Sequence, residues 1–122
     1  MTRDREAAER AGRRAEGLVA LYLVLTGHRI LARRYRCPSG EIDLIARRGR
    51  AIVFIEVKQR ARAAHAVDPV TARSEERILR AGETWLNRHP DYIDRDFAVR
   101  YDLVTVIGRW RLHHLRDAFR GW

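Results

Sequence analysis

Glu56 and Lys58 stand two residues apart in the run Val53-Phe54-Ile55-Glu56-Val57-Lys58, and on a β-strand that spacing sends both side chains from one face. Asp43 lies in a second strand-like run, Glu41 to Ala46, and Arg47-Arg48-Gly49-Arg50 between the two reads as a hairpin connection. A two- or four-residue turn makes paired residue numbers sum to 99 or 97, and either sum sets Asp43 opposite or diagonal to Glu56. Two carboxylates held so close repel each other. A hard divalent ion such as Mg²⁺, or Mn²⁺ in its place, would relieve the repulsion while keeping several of its waters. Such an ion acidifies a bound water and polarises a phosphoryl oxygen, and a neighbouring ammonium neutralises charge developing in the transition state. Hydrolysis of a phosphodiester bond uses all three groups.

The lysine is conspicuous for another reason. The chain holds 24 arginines and one lysine, Lys58. Where Arg serves almost every basic position, the single Lys either marks a place that wants a compact ammonium rather than a planar guanidinium or falls there by chance.

The segments Gly40-Glu41-Ile42-Asp43-Leu44-Ile45 and Val53-Phe54-Ile55-Glu56-Val57-Lys58 resemble the PD-(D/E)XK nuclease superfamily and, more narrowly, the YraN family. The likeness extends to Ala15-Glu16, Arg100-Tyr101-Asp102 and Asp117-Ala118-Phe119. It implies similarity to archaeal Holliday junction resolvases and a restriction-endonuclease-like fold: a three-layer α/β sandwich with a central mixed sheet flanked by helices. It also implies Asp43 and Glu56 as metal ligands, Lys58 as the catalytic lysine, Glu16 as a further acidic residue from the first helix, and Gln59 as a polar neighbour near substrate. The chain departs from the pattern at Arg34, where such relatives commonly carry Asn, and at Ser74, where they commonly carry Lys.

The elements that must position these groups can be traced by periodicity. Ala8, Ala11, Ala15, Leu18, Tyr22 and Leu25 recur at helical steps, predicting a helix from about Asp4 to Thr26 closed by Gly27. Glu16 borders its apolar face; without the resemblance it reads as a surface residue. A short strand follows over Ile30 to Arg36, with a turn at Cys37-Pro38-Ser39-Gly40. In the hairpin, Ile42, Leu44, Val53, Ile55 and Val57 are expected on one side and Ile45, Ile52 and Phe54 on the other, so both faces are covered. Residues 60–70 read as an irregular loop. A second helix of about 15 residues carries Ile78, Leu79, Gly82, Trp85 and Leu86, and Phe97–Ile107 and Trp110–Leu115 form a last pair of strands. The expected order is α-β-β-β-α-β-β in a single domain, residues 1–122.

A net charge of +9 on 122 residues makes nucleic acid, DNA foremost, the expected partner. Arg33, Arg34, Arg36, Arg60 and Arg62 flank the acidic cluster and are candidates, with Gln59, for holding a phosphate backbone. The lone Cys37 excludes an internal disulfide and fits a reducing, cytoplasmic setting, and no apolar run reaches the length of a membrane span. His113 and His114 point to opposite faces of a strand and cannot share a metal there. His65 is a lesser candidate for substrate contact, and Trp110 and Trp122 could stack on bases or cover a sheet edge. Two functions compete: a Mg²⁺-dependent endonuclease acting on DNA, branched or structured DNA included, and a nucleic-acid-binding module without turnover. A scaffold for an acidic protein is a third reading, and a homodimer is compatible with symmetric cutting of two strands.

Overall fold

The computed structural model describes residues 2–61, 72–93 and 96–118. Arg62, His65, Phe119, Trp122 and residues 62–70 of the loop expected over 60–70 lie outside the described residues, and Arg60, expected in that loop, is a strand residue. Helix α1 (Thr2–Leu25) leads into β1 (Arg29–Cys37), β2 (Gly40–Arg48) and β3 (Ala51–Arg60); α2 (Ala72–Asn87) and a single 3-10 turn (Pro90–Tyr92) precede β4 (Ala98–Ile107) and β5 (Arg111–Leu115). The order expected from periodicity, α-β-β-β-α-β-β, differs in detail: the 3-10 turn stands between α2 and β4.

The five strands form one mixed, open sheet in the order β1-β2-β3-β4-β5. All neighbours are antiparallel except β3 and β4, which run parallel. A parallel pair needs a crossover, and α2 lies within it. The β2–β3 turn is two residues long, with Gly49 at φ 58°, so Arg48 pairs with Ala51 and the register sums to 99. A positive φ at the first turn residue suits the strand twist and favours glycine.

Both sheet faces are covered. On the α1 side, Ala15, Val19 and Leu23 pack on Leu44, Ala46, Val53, Ile55, Val104 and Val106. On the α2 side, Ile78, Ala81 and Trp85 pack on Ile45, Ile52, Phe54 and Leu103. Near-continuous apolar strands follow from this double burial. Gly40, at the start of β2, meets the α2 backbone: a Cβ there would fall on the carbonyl of Arg77. The absent side chain lets α2 press against the strand that carries Asp43.

One facing differs from the expectation. Ile42 belongs to the α2-side core, with Ile45 and not with Leu44. Its β1 partners show the same offset: Ala32 faces Ile45, Tyr35 faces Ile42, and both pack on the α2 side. Two residues rather than one thus separate same-side positions in each strand. Between them Arg34 takes a left-handed backbone, φ 51°, which breaks the simple alternation of extended strands.

Candidate active site

Ladder pairing between β2 and β3 ends at Leu44 and Ile55. One residue further on, where Asp43 and Glu56 would pair, the strands part. The Val57 amide donates to Asp43 Oδ2 at 2.8 Å, so the carboxylate takes a hydrogen that the ladder no longer uses. Asp43 is thereby fixed by backbone at the parting of the two central strands.

Glu56 and Lys58 leave the same side of β3, and Lys58 Nζ sits 3.1 Å from Glu56 Oε1. Glu56 is largely buried, its side chain 17 % exposed. Burial raises its pKa above the ordinary value, and the Lys58 charge and hydrogen bond oppose that rise. Among the described residues no cation pairs with Asp43. Burial first, then the negative charge of Glu56, push its carboxyl from 3.8 up to about 7, against the pull of the Val57 hydrogen bond. The cluster therefore holds more negative charge than its own residues balance.

Glu16, on α1, lines a cleft together with Asp43, and it is engaged. Arg34 Nε and Nη2 donate to its two oxygens at 3.3 and 3.1 Å. Arg36 pairs with Glu41 at 3.4 Å. A cleft of about 260 Å³ on this side is lined by Glu16, Arg34, Arg36, Glu41 and Asp43 among others. A smaller one, about 70 Å³, is lined by Glu41, Glu56, Ser74, Arg77 and Ile78. Glu41 belongs to both, Asp43 lines the first and Glu56 the second, and the Glu56 charge is felt at Asp43.

The structure thus gathers Asp43, Glu56, Lys58, Glu16 and Glu41 at one end of the sheet. It separates the candidate phosphate contacts. Arg34 and Arg36 are occupied by acids, Arg33 is exposed on β1, and Gln59 Nε2 donates 2.7 Å to the Gly108 carbonyl, tying β3 to the β4–β5 turn.

Among the described residues no group of three His, Cys, Asp or Glu side chains stands at metal-holding spacing. Asp43 and Glu56 alone suit a different coordination: Mg²⁺ is commonly held by one or two carboxylates with water completing the shell. The uncompensated Asp43 carboxylate beside Glu56 has the charge and the oxygen donors such an ion takes.

A second polar cluster lies under α1, and sequence reasoning missed it. Asp102, fully buried, accepts from Arg100 Nε and Nη2 at 2.8 and 2.9 Å, from His114 Nε2 at 2.7 Å and from the Asp117 amide at 2.9 Å. Tyr22 Oη and His114 Nδ1 are 2.7 Å apart. A carboxylate only accepts, so His114 Nε2 carries a proton, and in the neutral ring Nδ1 accepts from the tyrosine. Burial alone would raise Asp102; the bonds from His114, Arg100 and Asp117 outweigh it and hold the carboxyl below its usual range. The sequence signals it by a charged residue interrupting the apolar run of β4 and by the likeness at Arg100-Tyr101-Asp102 and Asp117, but nothing in it ties these to His114 and Tyr22. His114 is half-buried, its ring held between Tyr22 and Asp102.

The family model described as "Uncharacterised protein family UPF0102" matches residues 15–106, which span Glu16, Asp43, Glu56, Lys58 and Asp102. The chain is 50 % identical over 115 residues to a UPF0102 protein of Agrobacterium fabrum, covering 94 % of this chain and 93 % of that one. It is 47 % identical over 118 residues to one of Mesorhizobium japonicum, covering 96 % and 92 %. To one of Rhodopseudomonas palustris it is 45 % identical over 116 residues, covering 95 % and 84 %.

Proposed function

The chain belongs to the UPF0102 family, and from that premise we propose that it is a metal-dependent nuclease of the PD-(D/E)XK type that hydrolyses phosphodiester bonds in DNA. The observation that carries the reading is the Asp43 carboxyl, pushed up to about 7 beside Glu56 where β2 and β3 part, with Lys58 3.1 Å from Glu56. The mixed sheet with a helix on each side is compatible with a restriction-endonuclease-like sandwich.

Asp43 and Glu56 would hold a divalent ion, Mg²⁺ or Mn²⁺, which when bound supplies an acidified water and a Lewis acid for the phosphoryl oxygen. The Val57 amide fixes the orientation of Asp43. Lys58 would exchange its contact with Glu56 for the scissile phosphate, where its charge would offset the negative charge of the transition state. The test is incubation of the purified chain with branched, single-stranded and duplex DNA in Mg²⁺ or Mn²⁺, beside Lys58→Ala and Glu56→Ala. Each substitution is expected to cost about 10²- to 10⁴-fold in rate, the range for a lost catalytic group. Cleavage that survives both sinks the site.

The internal pairing favours a second reading. Glu16 is bound by Arg34 and Glu56 by Lys58, as they would be in a nucleic-acid-binding module without turnover. Salt-sensitive binding with no cleavage in either metal would select it.

A further inference from the structure

Of all the large apolar side chains exposed among the described residues, the indole of Trp110 stands out the furthest, at 78 %. It occupies the turn between β4 and β5, flanked by exposed Arg109 and Arg111. An isolated exposed aromatic is common on protein surfaces; what distinguishes this one is its anchorage. The Gly108 amide donates 2.8 Å to the Arg60 carbonyl, and Gln59 Nε2 donates 2.7 Å to the Gly108 carbonyl. The turn is therefore bonded to the two residues that follow Lys58. Because β3 and β4 are parallel, with Lys58 beside Thr105 and Arg60 beside Ile107, Trp110 extends past the same end of the sheet as the acidic cluster. Strand rise and spacing put the turn on the order of 10–15 Å from Lys58, a few nucleotides along a strand rising roughly 3.4 Å per step.

The charges around it point the same way. Ion pairs among the described residues engage Arg34, Arg36, Arg50, Arg80, Arg100 and Lys58, and none uses Arg60, Arg109 or Arg111. Arg109 and Arg111 are the chain neighbours of the tryptophan, and Arg60, whose carbonyl holds the turn, keeps its Nη1 on the Gln59 carbonyl at 2.9 Å. Basic groups beside an exposed aromatic make a platform for a nucleic-acid strand: the cations follow the phosphates, and the ring takes a base face. A base face is open only where the base is unpaired. Resting on the nuclease reading for the scissile position, we propose that Trp110 stacks on an unpaired base a few nucleotides from the phosphate at Lys58, so that the substrate class is DNA with a single-stranded tail, flap or gap and not continuous duplex.

The experiment uses the full chain in EDTA, so that binding is read without cleavage. Fluorescence anisotropy gives affinities for a single-stranded oligonucleotide, a blunt duplex and a duplex with a single-stranded tail, for wild type, Trp110→Ala and Trp110→Phe at several salt concentrations. Trp110→Ala is expected to weaken the single-stranded and tailed probes roughly tenfold, to change the blunt duplex less than about twofold, and to leave the salt slope intact, since no phosphate contact is lost. Trp110→Phe, keeping a ring, retains most of the affinity. Equal loss on the blunt duplex, an unaffected single strand, or no binding to any probe overturns the proposal. Failure of the nuclease reading looks different: no cleavage in Mg²⁺ or Mn²⁺ while the Trp110-dependent preference for unpaired DNA persists.

Discussion

Arg34 and Glu16 meet through two hydrogen bonds, 3.3 and 3.1 Å long, that join β1 to α1 along the wall of the larger cleft. The arginine makes this contact from a left-handed backbone, φ 51°, a conformation that Asn accepts more readily than Arg and β-branched residues scarcely at all. The pair is partly exposed, so its net worth is about 0–1 kcal/mol. Arg34→Asn is therefore expected to change stability by less than about 1 kcal/mol, backbone relief offsetting the lost pair. Arg34→Val should cost roughly 1–3 kcal/mol by adding backbone strain. Urea denaturation of the two variants compares them, and equal losses would show that the backbone is not strained there.

Asp43 gives stability a distinctive pH dependence. Its folded pKa, about 7, lies above the ordinary 3.8, so the folded state holds its proton more tightly than the unfolded one. Stability from this group is thus highest below pH 4, falls as the pH rises toward 7 and is flat above. Asp43→Asn should raise stability by roughly 2 kcal/mol at pH 8 and by almost nothing at pH 4. Adding Mg²⁺ to the wild type should raise Tm above pH 7, and progressively less below it as protons compete. A Tm increment from Mg²⁺ as large at pH 5 as at pH 8 would remove Asp43 from the proposed ligand set.

Asp102 behaves in the opposite sense. Held below its usual range by His114, Arg100 and the Asp117 amide, it contributes stability that is present above the unfolded carboxylate pKa and lost as the pH falls through the folded one. Asp102→Asn is expected to cost about 3–5 kcal/mol at pH 7, because Arg100 and His114 lose a buried partner. The cost shrinks as the pH falls below the ordinary carboxylate range and the wild type protonates. Denaturant midpoints at pH 7 and across the acid range measure the difference.

Gly40 and Gly17 should respond to alanine with opposite signs. A Cβ on Gly40 meets the backbone carbonyl of Arg77, whereas one on Gly17, within α1, meets nothing within 4 Å. Gly40→Ala is expected to destabilise by about 1–3 kcal/mol through overpacking, and Gly17→Ala to stabilise by about 0.5–1 kcal/mol through helix propensity. Thermal melts of the two variants check the signs.

The hairpin was legible because a two-residue turn and strand alternation leave little freedom: once Gly49 and Arg50 make the turn, arithmetic sets Leu44 opposite Ile55. The double-sided burial of β2 and β3 showed equally in their unbroken apolar runs. The facing of Ile42 did not, because it depends on a left-handed residue, and nothing about an arginine announces a positive φ. The engagement of Glu16 was hidden for the same reason, since the backbone at Arg34 aims the guanidinium. The Asp102 cluster draws on Tyr22, 92 positions from His114; no periodicity links residues so far apart. Trp110 was visible as an aromatic near a turn, while its attachment beside Lys58 depended on the parallel pairing of β3 with β4.

An open five-stranded sheet leaves two rows of backbone donors and acceptors, on β1 and β5, that could template a foreign strand. Arg29, Arg33 and Arg36 stand exposed on the first edge and Arg111 on the second. Mutual repulsion between such edges guards against runaway aggregation, so part of the arginine load keeps copies of the chain apart, and neutralising it would make the edges sticky.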